Sequence, residues 1–356
     1  MSILERYIAG TLIKGWFTVL LVLGTVFGLI ALIQELDKTQ GDYGVPQVIY
    51  FTLLSLPQQL LDLMPVIALL GTIVAIANLD KANELTIIRS AGVHLATVLK
   101  AIILPTLVLM ALLWVCLEYV SGPAFQTAQL MKSATRNDHP DRIPNGGVWS
   151  KFDNRYIHLS KLRDGKEPGD IRLYQFDDSG ELVQAVSAVT AQIEQRRWNF
   201  NTTRTKTNQN GEMVTALKKS LAIDNLWSVK ELPTLSLPSQ SMRLSVLYEY
   251  AQYLREQGQP YEIYLLAFWQ RITLPFAVAA MILLATPVST SLGSGRDAGL
   301  GKNIAIGAVI GIFFFLGTQI SHAVGQLMGL NFLLITLAPI AVIAVVALLL
   351  LARLRW

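Results

Sequence analysis

Apolar residues gather in long blocks at both ends of the chain, while the middle is polar and alternating. A membrane-crossing helix needs about 20 mostly apolar residues at ~1.5 Å rise each. Six segments meet that length: 15–33, 60–79, 97–120, 263–288, 304–322 and 331–351. The pattern predicts an α-helical polytopic membrane protein with an inserted β domain. Residues 1–120 make the first membrane half, 121–262 the inserted domain and its return helix, and 263–356 the second half.

Two local features modify the spans. Apolar character begins at Val48, and Pro57 and Pro65 fall inside the second apolar block. Proline removes a helix hydrogen bond, so 48–57 is expected to be a separate outer piece, broken at proline before the span proper. Before the first span, Ser2-Ile3-Leu4-Glu5 fits a capping box. Ile3, Leu4, Tyr7, Ile8 and Leu12 recur at helical spacing, which predicts a helix over 2–14 lying along the inner surface. No cleavable signal peptide is evident at this start.

Between 146 and 225 the period changes from helical to two. Arg155-Tyr156-Ile157-His158-Leu159 alternates, and so does the run from Asp170 to Phe176. Asp177-Asp178-Ser179-Gly180 and Asn210-Gly211 are turn signals between strand candidates. Short strands with frequent turns predict a sandwich or jelly roll. After Pro233 and Pro238, the segment 244–256 reads as a helix returning to the membrane, ended by Gly258 and Pro260.

Charge supplies the orientation. The chain has 356 residues, 52% hydrophobic and 15% charged, with a formal net charge of +4. Soluble chains carry about 25% charged residues. The cations collect at one set of span ends: Arg6, Lys14, Lys81, Arg89, Lys100, Arg296, Lys302, Arg353 and Arg355. The short loops on the other side hold only Lys38. The positive-inside rule then puts both termini in the cytoplasm and the inserted domain outside it.

Chemistry for catalysis is missing from the pattern. No phosphate-binding glycine loop, zinc-protease helix motif or nucleophile elbow occurs. Cys116 is the single cysteine, which excludes an internal disulfide, and no cofactor is implied. The spans read as nearly free of ionisable groups, with Asp62 and Glu118 the closest and both near the outer ends. His322 closes an apolar span, either lining a polar path or satisfied locally. Energy for any transport must then come from a partner. From the residues themselves, a membrane enzyme acting on lipids or glycans at the outer face, or an envelope scaffold, stays open.

Three groups of residues stand out. In the inner loop 78–94, Leu85, Ile88 and Gly92 share a face, and Glu84 and Arg89 would project from a short surface helix; a solvated connector is the plainer alternative. Lys38 sits among Glu35, Asp37 and Asp42 at headgroup level, where it would bind an anionic headgroup, snorkel, or pair with a neighbour. Glycine pairs Gly24/Gly28, Gly307/Gly311 and Gly325/Gly329 allow close helix approach.

Taken in order, several pieces resemble the LptF/LptG family of lipopolysaccharide-export permeases, the LptG branch more than LptF. They are Glu5-Arg6-Tyr7-Ile8, Leu56-Pro57 with Met64-Pro65, Asn83-Glu84-Leu85 with Ser90-Ala91-Gly92, Glu118, Gly147-Val148-Trp149, Tyr156-Ile157, Ile171, Tyr174-Gln175-Phe176 and Trp198. The resemblance implies a permease half of an ABC transporter in the bacterial inner membrane. It implies an LptF-like paralogue, an LptB-like ATPase dimer, an LptC-like periplasmic protein and lipopolysaccharide as partners. It implies ATPase coupling through Glu84, Leu85, Ile88 and Arg89, and lipopolysaccharide binding by Lys38, Lys132 and Arg136. It also implies a lateral gate between the first and fifth spans, at Gly24, Gly28, Gly307 and Gly311.

Overall fold

The computed structural model describes residues 3–39, 43–136, 147–152, 154–163, 167–177, 179–194, 197–209, 212–224, 239–256, 261–292 and 300–353. The helices are α1 (Ile3–Leu36), α2 (Val45–Lys81), α3 (Glu84–Ser90), α4 (Leu95–Cys116), α5 (Gly122–Arg136), α6 (Leu244–Glu256), α7 (Glu262–Leu292), α8 (Leu300–Met328) and α9 (Phe332–Arg353). Among the described residues, six helical runs are long and apolar enough to cross a membrane, at the places the apolar blocks predict.

Three boundaries differ from the sequence reading. α1 is one helix of 34 residues, so the amphipathic start is not a separate surface helix. Ile8, Ala9, Leu12, Gly15 and Trp16 are buried on it, one apolar stripe running unbroken from the start into the span. α2 is likewise continuous for 37 residues, with Pro57 and Pro65 inside it. An isolated helix would break there; one packed on several sides in a membrane keeps its remaining hydrogen bonds, because apolar surroundings offer freed groups no water. The third span runs past its expected end, from α4 through a π-helical turn at Leu117–Ser121 into α5. The chain therefore stays helical as far as Arg136.

α2 and α7 form the interior of the bundle, 67% and 72% buried over their apolar windows, whereas α1 and α8 are each 11% buried. The α1–α2 crossing explains how two long helices lie so close. A Cβ on Gly71 would stand 2.7 Å from the Cα of Trp16, and one on Gly15 would strike the carbonyl oxygen of Gly71. Beside this contact, Trp16 Nε1 donates to Thr72 Oγ1 at 2.9 Å in a buried position. Only paired glycines allow that approach.

Among the described residues, the inserted domain is a six-stranded antiparallel sheet of β1 (Val148–Phe152), β2 (Arg155–Arg163), β3 (Glu167–Phe176), β4 (Leu182–Glu194), β5 (Arg197–Gln209) and β6 (Glu212–Ile223), paired in chain order. The strands match the alternation. The described strands pair in sequence, giving the inserted all-β domain that the alternation predicts. Sequential pairing needs only local turns, and Asp177 builds one: its Oδ1 accepts from Ser179 N, Ser179 Oγ and Glu181 N at 2.7–3.0 Å. Those bonds hold its carboxyl below the usual range. The signal at Asn210-Gly211 and the breakers Pro233, Pro238, Gly258 and Pro260 lie outside the described residues.

One face of the sheet is apolar, with Ile157, Leu159, Ile171, Leu173, Val186, Trp198 and Phe200 buried and Tyr250 and Tyr253 of α6 packed against them. α6 therefore touches the sheet through these two rings before the chain re-enters the bundle, where Tyr250 meets Tyr264 of α7 edge-on with centroids 4.8 Å apart.

Gly71→Val is expected to cost about 1–3 kcal/mol by overpacking the α1–α2 crossing. Gly10→Ala, where a Cβ meets nothing within 4 Å, should be neutral or slightly stabilising, since alanine favours the helix. Thermal unfolding of the two detergent-purified variants separates them; equal Tm values would contradict the packing account.

Candidate functional site

At the β-domain end of the bundle, two of the three predicted cations, Lys38 and Lys132, come together around one carboxylate. Glu35 lies in the last turn of α1 and its side chain is 5% exposed. Its Oε2 accepts from Lys38 Nζ at 3.0 Å, and its Oε1 accepts from Tyr43 Oη at 3.0 Å and from Lys132 Nζ of α5. Of the alternatives open for Lys38, pairing with Glu35 is the one the fold adopts. Tyr43, Val48, Phe51 and Ala128 close an apolar cluster beneath the pair. Lys132 Nζ stands 4.6 Å from the centre of the Phe51 ring.

The two lysines differ in freedom. The Lys38 side chain is 47% exposed and that of Lys132 16%. Lys132 is thus a buried ion pair locking α5 to α1, while Lys38 can turn its ammonium outward to an anion. Arg136 ends α5; its side chain lies outside the described residues, as does Asp42.

A second feature was not read from the sequence. Between α2, α7, α8 and α9 lies a half-open cavity of about 600 Å³. Gln58, Gln59, Asp62, Gln270, Arg271, Gln319 and His322 line it, with Phe27 of α1 and Phe315 at its apolar side. Arg271 is an ionisable group inside the predicted fourth span, a correction to the reading that Asp62 and Glu118 come closest to the spans. It is 7% exposed, and its guanidinium donates to the backbone carbonyls of Ser239 (3.2 Å), Gln240 (2.8 Å) and Met242. Those carbonyls belong to the turn that brings the chain back from the β domain. A planar fork with five donors suits such a cluster of oxygens. The signal in the sequence was a lone arginine in an apolar run, which by itself names no partner.

Within the cavity, Gln58 Nε2 donates to Asp62 Oδ1 at 3.2 Å, while the buried Gln58 Oε1 has no protein partner. Gln270 Nε2 and His322 Nδ1 are 2.9 Å apart, so the histidine is satisfied locally while also lining a polar space. The set can hydrogen-bond hydroxyl or amide groups or ordered water. Glu118 accepts from Ser245 Oγ (2.6 Å) and Ser245 N (3.3 Å), joining the third span to the start of α6. The chain's exit to the β domain and its return are thereby tied together.

At the opposite end of the bundle, the inner loop is a short helix, α3, and not an unstructured connector. Asn83 at φ 58° and Gly92 at φ 76° turn the chain through left-handed conformations at its two ends. Leu85 is buried and Ile88 packs on the main apolar cluster. Glu84 faces Tyr7 of α1, whose hydroxyl stands 2.8 Å from Oε2 and 3.0 Å from Oε1. Arg89 is in the helix, its side chain outside the described residues.

The four glycines expected at a gate all touch α2. Added Cβ atoms would meet Leu60 at Gly24 (3.4 Å), Leu56 at Gly28 (3.2 Å), Ile73 at Gly307 (2.5 Å) and Val66 at Gly311 (2.9 Å). Their immediate role is to seat α1 and α8 on α2. The apolar residues opposite, among them Phe17, Leu21, Ile312 and Phe313, are exposed in the single chain.

The family model for the lipopolysaccharide export system permease LptF/LptG matches residues 6–353. The lipopolysaccharide export system permease protein LptG of Haemophilus influenzae is 26% identical over 358 residues, covering 100% of this chain and 99% of that protein. The LptG protein of Escherichia coli strain K12 is 25% identical over 359 residues, covering 99% and 98%.

The geometry separates the two lysines energetically. Lys132→Met should cost about 3 kcal/mol, because it strips a buried carboxylate of a partner. Lys38→Met should cost under about 1 kcal/mol. Thermal denaturation checks this; a larger loss at Lys38 than at Lys132 would reverse the assignment.

Proposed function

This chain belongs to the LptF/LptG family of lipopolysaccharide export permeases, and from that premise we propose how its parts divide the work. It is a permease subunit of the lipopolysaccharide export system and a multi-pass membrane protein. The proposal is that it pairs with an LptF-like paralogue and is driven by an LptB-like ATPase dimer bound on the cytoplasmic face. Lipid is handed to the periplasmic β domain and onward to an LptC-like protein. Both termini are cytoplasmic and the bacterial inner membrane is its location in this reading. The distribution of cations supports that orientation.

The observation that carries the reading is the placement of two chemistries at opposite ends of one helix. α3, with Glu84 beside buried Leu85, hangs from one end of α2; the Glu35–Lys38–Lys132 cluster stands at the other. A carboxylate on a short exposed helix suits a basic groove in the ATPase. A half-exposed lysine at headgroup depth suits a phosphate of the lipid's anionic head. Lysine meets phosphate as a point charge, without the bidentate fork of arginine, so Lys38 favours charge over orientation. Arg136, on the same helix as Lys132, adds a second cation near the entrance to the β domain.

The exposed faces of α1 and α8 suit the lateral gate, where the paralogue or lipid would cover them. Acyl chains leaving the membrane need continuous shelter from water. The apolar interior of the β domain, closed in this structure, would have to open to give it. Closure of the ATPase dimer would push α3, and α2 would carry that movement to the lipid-binding end.

Two substitutions test the division. Glu84→Ala should reduce ATPase retention on a tagged permease and lower lipid release; full retention and release would remove Glu84 from coupling. Lys38→Asp should cut photocrosslinking to lipopolysaccharide while leaving the complex assembled; undiminished crosslinking would remove Lys38 from the binding site.

A further inference from the structure

Tyr7 belongs to the stretch Glu5-Arg6-Tyr7-Ile8 at the start of α1, and nothing in the transport reading assigns it a task. Its ring is half exposed, so packing alone does not explain an aromatic residue there. What distinguishes it is its hydroxyl, 2.8 and 3.0 Å from the two carboxylate oxygens of Glu84, a residue 77 positions away. The phenol has one proton, which either oxygen can accept.

The setting makes that bond consequential. α3 joins its neighbours through left-handed residues at both ends, Asn83 and Gly92, so the connections are sharp turns and not continuous helix. Its apolar side, Leu85 and Ile88, seats it on the bundle. The polar side is held by Tyr7. α1 is also among the least buried spans, and only one residue after Tyr7 its stripe enters the main apolar cluster at Ile8 and Leu12.

We infer that Tyr7 is a positioning residue for the motor contact: its hydroxyl aims the Glu84 carboxylate and makes α1 share the load that α3 delivers to α2. This rests on Glu84 being that contact. Without the hydroxyl, the carboxylate would sample several rotamers before meeting a cation, and a push on α3 would reach α1 only through apolar contacts that slide. The bond orients the acceptor in advance, so less ordering is required at each encounter.

The test uses the whole transporter in proteoliposomes loaded with lipopolysaccharide, measuring ATP hydrolysis and lipid release together for wild type, Tyr7→Phe, Glu84→Gln and the double variant. Tyr7→Phe keeps the ring and removes the donor. It should retain thermal stability and lower lipid released per ATP by about 3–10-fold, the scale of one ordinary net hydrogen bond at an exposed site. In the Glu84→Gln background the same change should add nothing further. Additive losses would assign Tyr7 a structural role independent of Glu84 and overturn the inference. An unchanged release-to-hydrolysis ratio in Tyr7→Phe, with Glu84→Gln impaired, would overturn the inference alone. Normal release in Glu84→Gln would sink the coupling role of Glu84 and this inference with it.

Discussion

The close seating of neighbouring helices on α2 is the constraint on which the architecture depends. Gly15 and Gly71 let the α1 and α2 backbones approach where any side chain would clash, and Gly24, Gly28, Gly307 and Gly311 receive side chains that α2 projects. A helix gripped from several sides has little room to bend, even with two prolines in it. Its 37 residues extend about 55 Å at 1.5 Å each, further than the ~30 Å of hydrocarbon. The excess length is what lets one rigid element reach both the short helix α3 and the cluster at Glu35.

The charged groups described in this bundle are few, and the partners they hold shape what the site can do. Glu35 is shared by Lys38, Lys132 and Tyr43, so in the proposed reading a lipid phosphate would compete with this carboxylate for Lys38. Lys38, the more exposed cation, can make that exchange without unlocking α5 from α1. Arg271 spends its donors on carbonyls of the returning turn, which fixes the β domain's tether to α7. Removing such a buried cation would leave several acceptors orphaned. Charges at this depth therefore hold the frame, while the exposed ones at the two ends are free to meet partners.

The spans were legible because twenty apolar residues in a row have few other fates, and the strands because alternation at period two is distinct from helical spacing. Pro57 misled: a local rule about isolated helices lost to packing on several sides. The third span's extension through Leu117–Ser121 was hidden because Glu118 and Ser121 look like a boundary, yet their polar groups are bonded within the fold. The Lys38–Glu35 pair is three residues apart and could be read directly; the Lys132 partner is distant in sequence and could not. Arg271 bonds to backbone, which leaves no side-chain pattern to find. Gly15 and Gly71 matter as a pair across two helices, and spacing within a helix does not reveal them. Strand order was equally invisible, since alternation carries no information about which strands pair.

The central claim is that α2 transmits motion as one rod. Spin labels at Gln47 and Ala82, in a Cys116→Ser background, would sit about 52 Å apart along a straight helix. Pulsed electron paramagnetic resonance on the transporter, resting and with nucleotide trapped, should give the same distance in both states while other distances in the complex change. A shortening of several ångströms in either state would show that the helix breaks at its prolines, and would contradict the account.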